Sequence, residues 1–146
     1  MFMPYEIIRA PDPGAAYAPI WAHLLAFNQT VAPDADGVPF ALTLCNGDSA
    51  EVHGGLWALS LWGSFYVALV VVPPESRDRG LGRSLMGQAE AEARTQNCRI
   101  MWLDTYAFQA RAFYERLGFK VFGQIDGPPP IFPRYFMKKD LTGEPR

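Results

Sequence analysis

The sequence of 146 residues has few charged side chains for its length. Only 19% of the residues are charged, and 13 lysines and arginines against 15 aspartates and glutamates give a net charge of -2. A nucleic-acid-binding protein needs a clustered positive surface, so we expect no nucleic acid among the partners. Because 49% of the residues are hydrophobic, intrinsic disorder is excluded as well. The partner should be small or locally recognised.

Cysteine and histidine are nearly absent, with two of each. Cys45 and Cys98 lack C-x-x-C spacing, and His23 and His53 are isolated, so the sequence predicts no metal site. We interpret both cysteines as small buried side chains in a reducing compartment.

Long apolar runs are absent too. The longest, Phe65–Val72, is far shorter than the roughly 20 residues that a membrane-spanning helix requires. The first residues lack the basic and apolar regions of a secretory signal. These absences predict a cytoplasmic protein without a membrane partner. The length fits one domain over residues 1–146, which can bury roughly two thirds of the surface of the unfolded chain.

Hydrophobic periodicity and turn residues predict a mixed α/β (α+β) domain with one central sheet. Asn46-Gly47 between apolar runs indicates a hairpin, Gly63 a second tight turn, and Gly118 a left-handed helix cap. The predicted strands are 5–9, 40–45, 51–60, 65–72, 100–104, 119–122 and 134–138, and the predicted helices are 15–29, 81–97 and 108–117. The strands on either side of the second helix should be parallel, as in a right-handed βαβ unit.

A glycine-rich turn, Arg77-x-x-Gly80-x-Gly82, joins the Val-rich strand to that helix. Glycine allows positive φ and close approach of a ligand to the backbone. The helix N-terminus offers free N–H groups and the positive end of its dipole, and Arg77, Arg79 and Arg83 add charged donors. The pattern is neither GxGxxG nor GxxxxGK[ST], so a pyrophosphate-bearing ligand other than a dinucleotide or a nucleoside triphosphate is indicated. An ordinary surface turn is the alternative.

Three segments in this order resemble the GCN5-related N-acetyltransferase (GNAT) superfamily: Val72–Met86, Trp102–Thr105 and Phe113–Phe119. Residues 104–110 and 119–123 also resemble a bacterial GNAT subgroup of unassigned substrate. The resemblance implies a GNAT-like fold, with a mixed sheet of about seven strands and helices on both faces in the order β-α-α-β-β-β-α-β-α-β-β.

The resemblance also implies an activity. It suggests an acetyl-CoA-dependent N-acetyltransferase, in which acetyl-CoA is the cosubstrate, no metal takes part and a primary amine of a small molecule attacks the thioester directly. A protein or peptide N-acetyltransferase and a non-catalytic acyl-CoA-binding module are the alternatives. Both a monomer and a homodimer stay open.

Family members bind the CoA pyrophosphate at the glycine-rich turn, mainly through backbone N–H groups. The matching residues are Arg77, Asp78, Arg79, Gly80, Leu81, Gly82 and Arg83. The preceding strand then supplies exposed backbone, here from about Leu69 through Val70, Val71 and Val72, to pair with the pantetheine arm and polarise the thioester carbonyl. Tyr114 matches a family tyrosine that protonates the leaving thiolate, and burial as a core side chain is its alternative role.

No single residue stands out as the general base. The Val-rich strand contains no acidic residue, so Glu51, His53 and Asp104 are the candidates, and a water chain is an equal alternative. Where family members often place an asparagine before the last helix, Ala107-Phe108-Gln109 stands here, which leaves the pantetheine contacts open.

Aromatic residues collect in the segments expected around the acceptor. They suit an amine with an apolar or cationic portion, or else pack as core. They are Trp21, Phe27, Trp57, Trp62, Phe65, Tyr106, Phe132 and Tyr135.

Overall fold

The computed structural model describes residues 4–143 and divides into an N-terminal unit up to Asp36 and a C-terminal unit from Gly37 onward. The N-terminal unit contains helix α1 (Pro13–Val31). The Asp12 side chain caps this helix by accepting a hydrogen bond from the N–H of Ala15 at 3.3 Å. Proline at the first helical position fits because its missing N–H would have no partner there.

The described part of the C-terminal unit consists of one sheet, two α-helices and a single 3-10 turn at Pro74–Ser76. In chain order its main elements are β1 (Val38–Cys45), β2 (Val52–Leu61), β3 (Ser64–Val71), α2 (Leu81–Thr95), β4 (Ile100–Tyr106), α3 (Arg111–Arg116), β5 (Lys120–Ile125) and β6 (Arg134–Asp140). The strands lie in the order β1-β2-β3-β4-β6-β5. The β3–β4 pair is parallel and the other neighbours are antiparallel, which confirms the predicted βαβ unit around α2.

The predicted turns are confirmed. The N–H of Ser49 donates to the carbonyl of Asn46 at 2.9 Å in the β1–β2 turn. Trp62 and Gly63, between β2 and β3, have φ values of 49° and 81°, and two positive φ values match the twist of a tight hairpin. Gly118 ends α3 with φ at 95°.

Two predicted elements are wrong. Residues 5–9 form no strand, because Ile7 and Ile8 are exposed without a neighbouring strand and proline-rich residues follow at once. One helix precedes β1 where two were expected, because α1 continues through Pro19 and the chain then turns at Asp34, whose φ is 56°. The sheet therefore has six strands within residues 4–143, one fewer than expected.

The two cysteines differ in environment. Cys98 is buried as expected, and burial raises the pKa of its thiol. Cys45 is exposed, which corrects the expectation of a buried side chain. It ends the edge strand β1, where the pairing register with β2 shifts between Leu44 and Cys45.

The core lies between α2 and one face of the sheet. Helix α2 contributes Leu85, Met86, Ala89 and Ala93, and the fully buried large side chains of the sheet are Phe65, Met101, Leu103 and Met137. Strand β4 alternates between buried and half-buried side chains, so Trp102, Asp104 and Tyr106 lie on the face opposite this core. We call that face the outer face. Within residues 4–143, no helix is both long and apolar enough to cross a membrane.

An ion-pair network fastens α2 to the C-terminal strand. The Glu90 carboxylate lies 2.7 Å from Nζ of Lys139 and 3.1 Å from Nη2 of Arg94. Arg94 also donates to the carbonyls of Leu141 and Gly143, at 2.8 and 2.9 Å. Burial alone would raise the pKa of Glu90, but the hydrogen bonds from Lys139 and Arg94 outweigh it and hold the pKa below its usual value.

We expect Glu90→Gln to destabilise the protein in a pH-dependent way. A carboxylate with a depressed pKa adds stability above its ordinary pKa, and that stability is lost as the pH falls through the folded-state value. The variant should lose about 1 kcal/mol of unfolding free energy at pH 7, and the difference should shrink below about pH 4. Urea unfolding at pH 7, 5 and 3.5 measures this, with Glu75→Gln as the exposed control. An equal loss at all three pH values would contradict the assignment.

Candidate active site

Strands β3 and β4 separate part-way along their length. They pair only where Ser64, Phe65 and Tyr66 lie opposite Ile100, Met101 and Trp102. Beyond these residues β3 continues to residue 71 with β2 as its ladder partner and no further pairing to β4. Because exposed backbone N–H and C=O groups need partners, this opening can accept an extended ligand that carries amide groups. We call it the cleft.

A bulge shapes the β3 side of the cleft. Trp57 of β2 lies opposite Leu69, but Ala58 lies opposite Val67, so Ala68 is an extra residue in β3. A bulge re-aims the backbone of its strand, and bulges occur often beside active sites. Val70 and Val72 are half-buried and Val71 is exposed, so this end of the strand is accessible.

The start of α2 lies just beyond the end of β3. Gly80 is the N-cap with φ at 79°, and no side chain caps the helix. The first helical hydrogen bond runs from the N–H of Ser84 to the carbonyl of Gly80 at 2.9 Å, so the N–H groups of Leu81, Gly82 and Arg83 precede it. Uncapped N–H groups at the positive end of a helix dipole suit an anionic ligand.

The turn before α2 brings the predicted arginines to the same place. Arg77, Arg79 and Arg83 are exposed, and Nε of Arg77 donates to the carbonyl of Val72 at 3.3 Å. Asp78 adopts φ at 62°, the left-handed region that is unusual for a residue other than glycine. The structure thus places the predicted turn residues next to the end of β3.

Gly82 lies where α2, α3 and the end of β3 meet. A Cβ atom there would lie 3.3 Å from Cζ of Phe113 and 3.8 Å from Cγ2 of Val72. A concavity of about 620 Å³ continues from Phe113 along α3, between Ala107 and Arg116. Phe113 therefore lies both beside the start of α2 and at one end of this concavity.

Tyr114 on α3 is buried, with 8% of its surface exposed. Its ring packs edge-on against Phe113 and Phe119, with centroids 5.1 and 6.0 Å away. Burial raises the pKa of Tyr114 to about 12, and the nearby charge of Asp104 acts in the same direction. The phenol is therefore protonated at neutral pH and can donate a hydrogen bond.

Gln109, which stands near the position expected for an asparagine, closes the turn between β4 and α3. Its Oε1 accepts from the N–H of Tyr106 at 2.8 Å and from Oγ1 of Thr105 at 3.3 Å. Sequence reasoning assigned no role to this side chain. The signal is a glutamine three residues after Tyr106, because such a side chain can reach back to the backbone N–H of that earlier residue.

The three candidate bases lie in different places. Glu51 and His53 are exposed at the start of β2, with Nε2 of His53 3.9 Å from the carboxylate of Glu51. Asp104 lies on the outer face, two positions past Trp102, where β4 has just separated from β3. The structure therefore brings Asp104 to the edge of the cleft.

Asp104 is held by two partners. Its carboxylate accepts from Oη of Tyr66 at 3.2 Å and lies 2.7 Å from Nη2 of Arg134. Burial raises the pKa of Tyr66, and the charge and hydrogen bond of Asp104 add to this effect, so Tyr66 stays a donor at neutral pH. Sequence reasoning missed Arg134 and Tyr66, since only the pairing of β4 with β6 and β3 brings them to Asp104.

A match to a protein family identifies this fold. The model of the acetyltransferase (GNAT) family matches residues 7–119. The chain belongs to the GNAT family. It is an acetyltransferase, as the sequence motifs suggested, and GNAT enzymes use acetyl-CoA.

Two relatives carry the same activity in their names. The chain is 32% identical over 119 residues to the blasticidin-S acetyltransferase of Streptomyces morookaense, a match that covers 81% of this chain and 88% of that protein. It is 35% identical over 105 residues to the acetyltransferase Atu2258 of Agrobacterium fabrum, covering 72% of this chain and 75% of the relative.

Solved GNAT structures share the fold. A crystal structure from Agrobacterium tumefaciens, classed as an acetyltransferase, superimposes with a TM-score of 0.82 at 29% identity and covers 95% of this chain and 100% of its own. Nourseothricin acetyltransferase superimposes with a TM-score of 0.58 at 28% identity, covering 75% of this chain and 69% of its own.

The aromatic residues expected around the acceptor of this GNAT enzyme separate into groups. Phe65 is fully buried, so its alternative role as a core side chain applies. Trp21 and Phe27 lie on α1 in the N-terminal unit. Tyr106 and Phe132 lie at the end of β4 and before β6, together with Phe108, which sequence reasoning had not included. Within residues 4–143, no group of three or more metal-ligating side chains lies together.

Proposed function

We propose that this GNAT enzyme transfers the acetyl group of acetyl-CoA to a primary amine of a small molecule. The observation that carries the proposal is the cleft between β3 and β4, which opens beside the uncapped N-terminus of α2. The first feature can take the amide-bearing pantetheine arm, and the second can take the pyrophosphate. CoA carries both an amide-bearing arm and a pyrophosphate, so it matches the two features together.

The residues present fit acetyl-CoA. The N–H groups of Leu81, Gly82 and Arg83 would bind the pyrophosphate, because they have no helical partners and lie at the positive end of the dipole. The turn residues Arg77, Asp78, Arg79 and Gly80 shape this site and add exposed guanidinium groups. As far as residue 71, β3 pairs with β2 on one side and lacks a strand partner on the β4 side; that open side, followed by Val72, would hold the pantetheine arm and donate to the thioester carbonyl.

The acetyl-CoA thioester supplies an activated acetyl group, and the protein must manage two protons. An ammonium acceptor first loses one proton, to one of the candidate bases or through a water chain to solvent, because only the neutral amine has a free lone pair. Its nitrogen then bonds to the acetyl carbon, and the carbon–sulfur bond breaks. The nitrogen loses a second proton, and the leaving thiolate gains one, so the products are the amide and the free thiol of CoA. We assign Tyr114 as the donor to that sulfur, since its phenol is protonated at neutral pH and it follows Phe113, the α3 residue that lies beside Gly82 at the start of α2.

The names of two related proteins support the proposed class of acceptor. Blasticidin-S acetyltransferase and nourseothricin acetyltransferase are both named for small molecules. They support a small-molecule amine over a protein acceptor for this chain.

An assay of CoA release tests the proposal. The purified chain is mixed with acetyl-CoA and a panel of primary amines, and free thiol is followed with a colorimetric reagent. We expect at least one small amine to release thiol well above the rate of acetyl-CoA hydrolysis, with the acetylated amine seen by mass spectrometry. Peptides with free N-termini or lysines form a parallel panel. Turnover only with peptides, or no calorimetric binding of CoA, would overturn the proposal.

A further inference from the structure

An exposed aromatic cluster lies at the end of β4. The rings of Tyr106 and Phe108 stack with centroids 5.6 Å apart, and Phe132 meets Phe108 edge-on at 5.1 Å. Phe108 and Phe132 are 64% and 61% exposed, although large aromatic side chains are usually covered. Neighbouring exposed aromatic rings form an apolar patch of the kind that marks a binding surface.

A charged pair adjoins this aromatic cluster. The guanidinium of Arg134 lies 5.4 Å from the ring centroid of Tyr106 and is paired with Asp104. Tyr106 and Arg134 are also direct partners in the β4–β6 ladder. Tyr106 and Asp104 lie two residues apart on the same face of β4, and Arg134 of β6 contacts both of them.

The position of Asp104 relates the cluster to the cleft. Tyr66 and Trp102 are the last paired residues of β3 and β4, their rings stack 4.1 Å apart, and Tyr66 donates to Asp104. An amine that approaches the cleft from the outer face meets this carboxylate at the point where the strands separate. The Asp104 carboxylate is paired with Arg134, and its oxygens have lone pairs left that can accept hydrogen bonds from an ammonium nitrogen at that point.

We propose that Asp104, Tyr106, Phe108 and Phe132 form the acceptor site, and that the site takes a cationic amine that carries a flat, unsaturated ring. This inference rests on the proposed function and names its substrate class. Asp104 receives the ammonium, while the rings of Phe108 and Phe132 cover the flat ring by stacking and edge contacts. Tyr66 and Arg134 are positioning residues, since each holds one oxygen of Asp104.

A pair of matched amines tests the ring requirement. 2-Phenylethylamine and 2-cyclohexylethylamine carry the same aminoethyl group, but only the first has a flat π-system. Apolar burial alone would favour the bulkier saturated ring or treat the two alike. We expect kcat/KM to be about tenfold higher for 2-phenylethylamine, and saturation-transfer NMR with the CoA-bound protein to show the same preference in binding.

Substitutions test which residues cause the preference for the flat ring. Phe108→Ala and Phe132→Ala should each abolish most of the preference, whereas Phe122→Ala, an exposed aromatic residue on β5, should retain it. Asp104→Asn should raise KM for both amines about tenfold or more, because a charge-assisted hydrogen bond is lost. Since this change leaves Arg134 without its partner, the double variant Asp104→Asn with Arg134→Gln is measured beside it, and both should show the raised KM.

The outcomes separate this inference from the proposed function. Thiol release without a preference for the flat ring, or a preference unaffected by both phenylalanine changes, overturns the acceptor site and leaves the transferase intact. Absence of NMR binding for both amines to CoA-bound protein also overturns it. Failure of CoA itself to bind overturns the proposed function instead.

Discussion

Tyr114→Phe should lower kcat about a hundredfold or more with little change in the KM for acetyl-CoA. The change removes only the phenolic oxygen, so the packing against Phe113 and Phe119 is kept and the fold should be unaffected. A proton donor to the leaving thiolate acts in the transition state, which is why kcat carries the loss. Steady-state thiol release with saturating amine measures it, and Tyr5→Phe, at an exposed position, is the matched control.

The size of the rate loss separates catalysis from packing, and its pH dependence reports the proton on Tyr114. With a pKa of about 12, Tyr114 holds its proton throughout the usual assay range. The ratio of wild-type to Tyr114→Phe kcat should therefore stay constant from about pH 6 to pH 10. A core side chain without a chemical role would give equal rates for both proteins, and a ratio below about threefold would contradict the assignment.

Much of the C-terminal unit could be predicted because its signals are local. Asn46-Gly47 and Gly63 are typical residues of tight turns, and the periodicity from Leu85 to Ala93 specifies the buried side of α2. The predicted strand at residues 5–9 was wrong because strand formation depends on more than local signals. β-prone side chains form a strand only when a neighbouring strand supplies hydrogen bonds, and no local signal reports that neighbour.

The candidate site was predictable only in part. The Gly80 turn could be found because its glycines and the following helix are contiguous in sequence. The pairing of Asp104 with Arg134 and Tyr66 depends on the registers of β4 with β6 and of β3 with β4, which hydrophobic patterns do not specify over such distances. The exposed backbone at the end of β3, which forms one side of the cleft, was expected only from the family resemblance.

Gly80→Glu should weaken CoA binding about a hundredfold. Nothing lies within 4 Å of a Cβ atom placed at Gly80, so a side chain fits sterically, but its carboxylate would stand at the helix N-terminus where the pyrophosphate is expected. Gly80 also has φ at 79°, which strains any residue with a Cβ by about 1 kcal/mol. Gly80→Ala carries this strain without the charge and should lose only a small part of the affinity. Isothermal calorimetry with CoA measures both variants.

Gly87→Glu is the control that makes this result specific to position. Gly87 lies on the same helix with open space around it, has no positive φ, and accepts the same added charge two turns from the N-terminus. If the pyrophosphate is bound by the N–H groups of Leu81, Gly82 and Arg83, CoA affinity should survive at Gly87 and fail at Gly80. Equal losses at the two positions would show that net charge alone attracts CoA. Repulsion between the added carboxylate and CoA differs less between the two positions than does direct occupation of the anion site, which only Gly80→Glu can cause. Raising the ionic strength would then restore both variants alike, whereas a blocked site stays blocked.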